Sequence, residues 1–334
     1  MDKAQFHGGP MNGHLHVPVA RGAGVRARTR VAVLGTGKMG AAIAGRLDAA
    51  GFDVSVWNRT RSRAEALGRG RIADTPATAS RDADVVISSL TGADALRAAY
   101  LGADGAIVHA SGRLFIDMST AGPEIEAELA SAVAARGGRF VEAPILGSPV
   151  VVGGGEATVL VGGDPSDVEL AAEVLRAVGD VRAVGPLGSA ARLKLIANSM
   201  LADVMEAAAE LQVAGEDAHL DAEDVFWVLK RIAPSLEARR AGIVEARHTP
   251  TQFALRDLHK DVELAMALFE RSAARTPLTR VTAALVGAAA AQTPDLDISA
   301  VGLPYRSGDR TPMPATATAA SSTPAYATAL RNGG

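Results

Sequence analysis

The chain has 334 residues, with 34 Lys and Arg against 37 Asp and Glu, and a formal net charge of −3. A composition that is 48% hydrophobic and 21% charged is typical of a folded protein. The near-neutral charge argues against a nucleic-acid partner, and the absence of cysteine excludes disulfides, thiol catalysis and cysteine-based metal sites. No apolar run is long enough to span a membrane, and no secretory signal is recognisable. We therefore expect a cytoplasmic protein with no membrane partner.

The two ends of the sequence differ from its middle. Residues 1–28 mix Gly, Pro, His and Arg without periodicity and predict a flexible leader. Residues 305–334 are rich in Pro, Ala, Thr and Ser and predict a disordered tail. Between them we expect one domain over 29–188 and a second domain over 189–304.

The first domain alternates short apolar runs with Ala-rich segments. The runs are RVAVLG, VSVWN, VVISSL, LFIDMS, RFVEAP and ATVLVGG. Continuous β-branched runs separated by helices predict an α/β domain with a doubly wound parallel sheet, the Rossmann arrangement. From about Leu187 the apolar runs give way to long segments rich in Ala, Leu and Glu, which predict an all-α C-terminal domain.

A glycine-rich turn lies between the first apolar run and the first helical segment. It consists of Gly35, Thr36, Gly37, Lys38, Met39 and Gly40. In a G-x-G-x-x-G turn the first glycine permits the tight bend, the second lets the backbone approach a pyrophosphate, and the third allows close helix packing. The turn therefore predicts a dinucleotide site; the alternative is a glycine turn without a ligand.

The end of the second apolar run bears on which dinucleotide is bound. Asn58, Arg59 and Thr60 stand there, where an NAD enzyme usually has Asp or Glu for the ribose 2′-hydroxyl. Asn58 does not repel a phosphate, and Arg59 can pair with a 2′-phosphate and cover the adenine. This pattern favours NADP, with NADPH preferred over NADH. The alternative is that 59–63 is a solvated basic loop.

Three further segments follow in a fixed order along the chain. They read DMSTAGP at 117–123, EAPILGS through VLVGG at 142–163, and GPLGSAARLKLIAN at 185–198. With the glycine turn and the Asn-Arg-Thr segment, these motifs resemble the β-hydroxyacid dehydrogenase family, which includes 3-hydroxyisobutyrate dehydrogenase and is related to 6-phosphogluconate dehydrogenase. The resemblance covers roughly residues 30 to 303, including Lys260-Asp261 and DISA at 297–300.

The resemblance implies a role for each matched position. Lys194 would be the catalytic lysine, and Asn198 would orient the substrate beside it. The small-molecule substrate would contact Ser119, Thr120, Gly147 and Ser148, with Ser119 and the backbone around Gly147 holding its carboxylate. The cofactor would contact Leu90 and Lys260 in addition to the residues given above. The family also implies a homodimer or homotetramer that forms through the helical domain.

The residues around Lys194 support the catalytic role independently. Its helical segment is largely apolar, and burial lowers the pKa of a lysine towards the range that a general acid or base needs. Asn198 is four residues further on and shares the same helix face. The alternative is that Lys194 extends to the surface. The histidines show no metal-ligand spacing, so no metal is expected.

Two of the implied roles have structural alternatives. Ser119 stands shortly before Pro123, so it could instead cap the helix that begins there. Lys260 lies in the charged segment RDLHKDVE, which could instead be a solvated helix face with i,i+4 pairs.

The substrate loop departs from the pattern A-P-V-S-G-G that is usual in the family. Leu146 replaces a serine, Ser148 replaces a glycine, and 150–152 is Val-Val-Val, which favours a less polar substrate. We predict an NADP-dependent oxidoreductase that interconverts a small β-hydroxyacid, or a related alcohol, and its aldehyde or keto form, with Lys194 as general acid and base. The alternatives are an imine reductase-like NADPH enzyme and a non-catalytic NADP-binding protein.

Overall fold

The computed structural model describes residues 29–306. The predicted leader, 1–28, and all but the first two residues of the predicted tail, 305–334, lie outside the described residues. In the described part, one sheet carries the strands β1 (Arg30–Leu34), β2 (Asp53–Trp57), β3 (Arg71–Ile72), β4 (Val85–Ser88), β5 (Leu114–Asp117), β6 (Arg139–Glu142), β7 (Ile145–Leu146), β8 (Ala157–Gly163) and β9 (Gly179–Gly185).

Helices connect these strands and cover both faces of the sheet. They are α1 (Lys38–Ala49), α2 (Arg61–Glu65), α3 (Pro76–Arg81), α4 (Ala93–Leu101), α5 (Pro123–Ala134), α6 (Pro149–Gly154) and α7 (Pro165–Leu175). Alternate residues of β1 point to opposite faces: Val31 and Val33 belong to one apolar cluster, and Ala32 and Leu34 belong to another. Because both faces are buried, the strands are continuously apolar, and the α/β prediction is confirmed.

The strand order is β3-β2-β1-β4-β5-β6-β8-β7, and β9 pairs with β8. Strands β1 to β6 are parallel to one another, which places their carboxyl ends at one edge. The expectation that ATVLVGG would join them in parallel is wrong, because β8 runs antiparallel to both β6 and β7. A parallel connection needs a long crossover, and α6, with six residues, is too short to return the chain along the sheet.

The remaining helices form a second cluster with its own apolar core. They are α8 (Ser189–Asp217), α9 (Ala222–Ile232), α10 (Arg240–Glu245), α11 (Leu255–Arg271), α12 (Pro277–Gln292) and α13 (Leu303–Arg306). The long helix α8 packs against α11 and α12 and also contacts β8, β9 and α5, so it joins the two parts. Over 29–306, no helix is long and apolar enough to cross a membrane.

Candidate active site

The glycine turn has the backbone that its sequence predicts. Gly35 has a φ of +101°, and a Cβ on it would lie 2.3 Å from the Ser89 carbonyl oxygen. A Cβ on Gly40 would lie 2.0 Å from the Gly35 carbonyl oxygen, so neither position admits a side chain. Gly37 has no atom within 4 Å of its ideal Cβ position, which leaves open space beside the first turn of α1.

This turn fits a dinucleotide phosphate. The first residue of α1 is Lys38, and its N-cap, Gly37, provides no side chain to satisfy the free N–H groups there. The Thr36 hydroxyl is buried and has no hydrogen-bond partner within the described part of the chain. Met39 packs against the core, while Lys38 Nζ donates a hydrogen bond to the Thr251 carbonyl of the helical domain.

Asn58 and Arg59 play different parts at the end of β2. Asn58 Oδ1 accepts a hydrogen bond of 3.0 Å from the Thr36 N–H, and its Nδ2 donates one of 2.9 Å to the Thr60 carbonyl. Arg59 is exposed and makes no hydrogen bond or ion pair to any described residue, whereas Arg61 pairs with acidic side chains on its own helix and beyond. Asn58 therefore shapes the loop, and Arg59 is available to an anion.

Lys194 lies in the second turn of α8 and points towards the α/β domain. Its side chain is half-buried, and its Nζ donates a hydrogen bond of 2.6 Å to the Ile145 carbonyl. Burial lowers the pKa of Lys194; the Asp261 carboxylate opposes this effect, and the Lys260 ammonium adds to it. The lysine is thus held in the cleft and does not extend to solvent.

Asp261 joins the other predicted site residues to Lys194. Its side chain is only 2% exposed, and Asn198 Nδ2 donates to its Oδ2 at 2.5 Å. Lys260 Nζ lies 2.5 Å from Asp261 Oδ1 and 2.6 Å from the Thr120 carbonyl oxygen. Burial raises the pKa of Asp261, while Lys260, Lys194 and Asn198 favour its charged form. Lys260 therefore faces the cleft, and the solvated-face alternative is wrong.

The sequence reasoning did not select Asp261 as a site residue, although a signal was present. On α11, Leu258, Asp261, Val262 and Ala265 are all buried, so a carboxylate interrupts an otherwise apolar face. An acidic residue on a buried helix face needs a charged or hydrogen-bonding partner. That partner set is Lys260 and Asn198.

Ser119 and Thr120 follow β5 at the edge where the parallel strands end. Ser119 Oγ donates to Asp117 Oδ1 at 2.7 Å and accepts from the Leu90 N–H at 2.9 Å. The N-cap of α5 is Gly122, with a φ of +94°, so the alternative in which Ser119 caps this helix is wrong. The structure brings Leu90, Ser119 and Thr120 together beside Lys260.

Gly147 and Ser148 stand after β7, close in sequence to the carbonyl that binds Lys194. Ser148 Oγ caps α6 by accepting from the Val151 N–H at 3.4 Å, so its hydroxyl is engaged locally. The preceding β6 ends in Glu142, which sequence reasoning also missed. Its buried carboxyl accepts hydrogen bonds from the Ala190 and Ala191 N–H groups at 2.7 and 3.3 Å. The segment 142–145 therefore hydrogen bonds to both the first N–H groups of α8 and the Lys194 ammonium.

Two family models together match nearly all of the described chain. The NAD binding domain of 6-phosphogluconate dehydrogenase matches residues 30–187, and the NAD-binding domain of NADP-dependent 3-hydroxyisobutyrate dehydrogenase matches residues 188–305. The chain belongs to the β-hydroxyacid dehydrogenase family. The α/β and helical parts described above are those of its 3-hydroxyisobutyrate dehydrogenase-like members.

Individual members of the family are distant in sequence. Glyoxylate/succinic semialdehyde reductase 1 of Arabidopsis thaliana is 29% identical over 279 residues, which are 81% of this chain and 96% of the relative. Cytokine-like nuclear factor N-PAC of Xenopus tropicalis is 30% identical over 285 residues, which are 83% of this chain; the chain matches 53% of the length of that protein.

A solved structure of the family has the same fold. The 3-hydroxyisobutyrate dehydrogenase of Mycobacterium tuberculosis, solved with L-serine, superposes with a TM-score of 0.73 at 27% identity, over 84% of this chain and 100% of that chain. Among residues 29–306, no group of three or more His, Asp or Glu side chains is arranged to hold a metal ion.

Proposed function

We propose that this family member is an NADP-dependent oxidoreductase that interconverts a small β-hydroxyacid, or a related alcohol, and its aldehyde or keto form. The observation that carries the proposal is the position of Lys194. Its Nζ is half-buried and hydrogen bonded to the Ile145 carbonyl, beside Asn198, Asp261 and Lys260. This cluster lies where α8 and α11 meet the loop between β5 and α5.

The residues that would hold the dinucleotide are those of the glycine turn, with Asn58 and Arg59 beyond it. The nicotinamide group supplies or accepts the hydride when the cofactor is bound. The uncapped N-terminus of α1 suits the pyrophosphate, and the unpaired guanidinium of Arg59 suits a ribose 2′-phosphate. Both features support NADP as the preferred cofactor.

Lys194 moves the proton of the reaction. In reduction, its ammonium donates a proton to the oxygen of the forming alcohol, and in oxidation its neutral amine takes the proton of the hydroxyl group. Burial lowers the pKa of Lys194, so both forms are more accessible than in a solvated lysine. Asn198 and Lys260 hold Asp261, and the Asp261 charge stabilises the ammonium form.

The substrate lies between Lys194 and the loops at 119–120 and 147–148. Leu146 is half-buried and Val150 is exposed beside these loops, so this side of the cleft is apolar. An apolar wall disfavours a strongly polar substrate tail. We therefore place the substrate among the less polar small hydroxyacids and alcohols. An imine substrate is disfavoured, because an iminium ion would be repelled by the Lys194 ammonium.

The proposal is tested by NADPH oxidation against a panel of small aldehyde acids, keto acids, apolar ketones and cyclic imines. We expect turnover with an aldehyde or keto acid. Replacing Lys194 by methionine should lower kcat by about 100-fold or more, while the Kd for NADPH changes less than about twofold, because the lysine acts on the substrate oxygen. Lys230, a half-buried lysine of α9 that pairs with Glu237, provides the control as Lys230→Met.

Three outcomes would contradict the proposal. Turnover by Lys194→Met close to that of the wild type would remove the assigned role of the lysine. Consumption of NADPH with imines alone would favour the imine reductase-like alternative. Tight NADPH binding without turnover of any panel member would favour the non-catalytic NADP-binding alternative.

A further inference from the structure

A pair of buried carboxyl groups lies on either side of the loop between β5 and α5. Asp117, at the end of β5, is 0% exposed, and Glu126, on α5, is 2% exposed. Asp117 Oδ2 and Glu126 Oε2 are both buried and have no other hydrogen-bond partner within 29–306, and each carboxyl group affects the pKa of the other. No basic side chain within 29–306 makes a hydrogen bond or ion pair with either of them. Two adjacent buried carboxylates without a cation cannot both stay ionised, so one of them keeps its proton.

Hydrogen-bond geometry places the proton of the pair on Glu126, because Asp117 accepts from Ser88 and Ser119 whereas no hydroxyl or N–H group within 29–306 donates to Glu126. Burial, followed by the charge of Asp117, raises the pKa of Glu126 well above its ordinary value. Burial also raises the pKa of Asp117, but hydrogen bonds from Glu126, Ser88 and Ser119 favour its charged form. Glu126 is thus a neutral acid that donates, and Asp117 is the carboxylate that accepts.

A second donor reaches Asp117 from β4. Ser88 Oγ lies 2.5 Å from Asp117 Oδ1, and the Tyr100 hydroxyl lies 2.7 Å from Ser88 Oγ. Both side chains are fully buried. Because Ser88 Oγ uses its only proton in the hydrogen bond to Asp117, the Tyr100 hydroxyl must donate to Ser88 Oγ. The chain of hydrogen bonds therefore runs from Tyr100 through Ser88 to Asp117. The carboxylate is therefore a fixed acceptor.

Ser119 is the member of this network that stands next to Thr120, whose carbonyl accepts from Lys260 Nζ. A hydroxyl group has a single proton, and the structure directs the proton of Ser119 to Asp117 Oδ1 at 2.7 Å. One lone pair of Ser119 Oγ accepts the Leu90 N–H, which leaves the other as its remaining hydrogen-bonding capacity. We propose that Asp117, supported by Glu126, is a positioning residue that makes Ser119 a hydrogen-bond acceptor towards a bound molecule.

The inference deepens the proposed function, on which it rests, by naming the chemistry that Ser119 recognises. The group it binds is a hydrogen-bond donor, such as a hydroxyl or an amide N–H. A carboxylate has no proton to donate, so it is held elsewhere in the cleft. The donor can belong to the substrate or to the carboxamide of the nicotinamide, and separate binding measurements distinguish these two sources.

Infrared spectroscopy near neutral pH tests the proton on Glu126 without any turnover. We expect the difference between wild type and Glu126→Gln to show the carbonyl band of a protonated carboxylic acid. The control is Glu124→Gln on the same helix; Glu124 is exposed and pairs with Arg271, so it should show an ionised carboxylate. An ionised carboxylate at Glu126 would overturn the inference and leave the proposed function untouched.

Binding and kinetics test the role of Ser119. Replacing Ser119 by alanine removes the acceptor and should raise either the Kd for NADPH or the KM for the hydroxyacid or alcohol in the oxidation direction between about twofold and tenfold, with little change in kcat. A raised Kd places the donor on the cofactor, and a raised KM places it on the substrate. Ser131→Ala, at an exposed position of α5, is the control. Unchanged values of both constants would overturn the inference.

A matched pair of substrates tests the assigned direction of the hydrogen bond. If Ser119→Ala raises KM for a carboxylate substrate and not for the corresponding primary amide, Ser119 donates and the inference is wrong. Glu126→Gln keeps a donor to Asp117 and should behave as wild type, whereas Glu126→Leu removes it and should reproduce the Ser119→Ala change. The double variant should be no worse than either single variant. Equal losses in Glu126→Gln and Glu126→Leu would also overturn the inference.

Discussion

Asp261 is the residue through which the two parts of the molecule meet beside Lys194. It is buried, and its oxygens accept from Asn198 on α8 and from Lys260 on its own helix. Lys260 also donates a hydrogen bond to the Thr120 carbonyl in the loop between β5 and α5. A buried carboxylate is stable only when its hydrogen bonds and charge are compensated. Asp261 therefore connects the charge of Lys194 with the geometry of the loop.

Asp261→Asn should move the pH profile of reduction to lower pH. The Asp261 carboxylate raises the pKa of Lys194, so its loss lowers that pKa, and the uncompensated Lys260 ammonium lowers it further. The ammonium needed as proton donor then disappears at a lower pH. Weakening the hydrogen bonds to the Asp261 carboxylate should also lower the free energy of unfolding by about 1.5–3 kcal/mol. The measurement is kcat against pH, with Glu263→Gln at an exposed position of the same helix as control; an unshifted profile would uncouple Asp261 from Lys194.

Arg59 is the residue at which cofactor preference should be decided. Its guanidinium is exposed and makes no hydrogen bond or ion pair within the described chain. Arg59→Asp removes a cation and introduces a carboxylate that can bind a ribose 2′-hydroxyl, so the NADPH to NADH ratio of kcat/KM should fall by about tenfold or more. Arg63→Asp, at an exposed arginine of α2, is the control. If the ratio for Arg59→Asp stays at the wild-type value, the 2′-phosphate is recognised elsewhere.

At the scale of elements, α8 has buried polar contacts near its start and again near its middle. Glu142 accepts from the first N–H groups of α8, and Lys194 follows in the second turn. Further along, Glu206 is buried, and the Tyr305 hydroxyl donates to its Oε2 at 3.0 Å, so α8 is also linked to α13. The other carboxyl oxygen of Glu206, Oε1, has no hydrogen-bond partner within the described residues. The middle of α8 is therefore sensitive to charge.

Glu206 should make the protein less stable as the pH rises. Burial raises the pKa of Glu206 from 4.5 to about 7. Between these values the folded state keeps a proton that the unfolded state has lost, so the free energy of unfolding falls with rising pH, by up to about 3 kcal/mol. Above about 7 the loss is complete and constant. Urea unfolding at about pH 5 and about pH 8 measures it.

Glu206→Gln separates this effect from other titrations. The amide cannot ionise, so the variant should lack this part of the pH dependence and should be more stable than the wild type at about pH 8. Asp217→Asn, at the exposed end of α8, is the control and should behave as wild type. Equal slopes for the wild type and Glu206→Gln would show that this carboxyl group does not control stability.

The parallel part of the sheet and its glycine turn were predictable because their signals are local. Continuous apolar runs mark strands that are buried on both faces, and the turn follows the first of them. The direction of β8 was not predictable from its own residues, since an apolar run is the same in either direction. β3 and β7, with two residues each, are too short to give a pattern.

The positions of the candidate site residues could be predicted where a motif carries them and not where distant segments meet. Lys194, Asn198 and Lys260 belong to recognisable segments. The roles of Asp261 and Asp117 depend on contacts between residues far apart in the chain, such as Asn198 with Asp261 and Ser88 with Asp117. The donor direction at Ser119 depends on these contacts, so no local pattern encodes it.

At the scale of the whole molecule, one side of α8 is left uncovered by the rest of residues 29–306. Leu193, Ile196, Met200 and Leu211 are exposed, and their spacing puts them on one face of the helix, away from Lys194 and Asn198. We call these four residues the α8 stripe; it extends for about 27 Å. An exposed apolar surface of this kind is typical of a protein interface.

The α8 stripe is self-complementary. Leu193 and Leu211 are equally far from position 202, so two antiparallel copies would place each of them against the other, with Met200 near the two-fold axis. Arg192 and Glu210 are exposed on one flank of the stripe, and the same symmetry would bring them together with opposite charge. We therefore propose that a second copy of this chain covers the stripe, which agrees with the homodimer or homotetramer that the family resemblance implies.

Met200→Glu should dissociate this dimer. Met200 is 62% exposed, and a glutamate there would face the same glutamate of the second copy near the axis, so two charges would be buried without a cation. Light scattering coupled to size-exclusion chromatography should give twice the chain mass for the wild type and a single chain mass for the variant. Ile232→Glu, at an exposed apolar position of α9, is the control and should remain dimeric. Arg192→Glu should weaken the dimer, and adding Glu210→Arg should restore it; a monomeric wild type, or a dimeric Met200→Glu, would contradict the proposed interface.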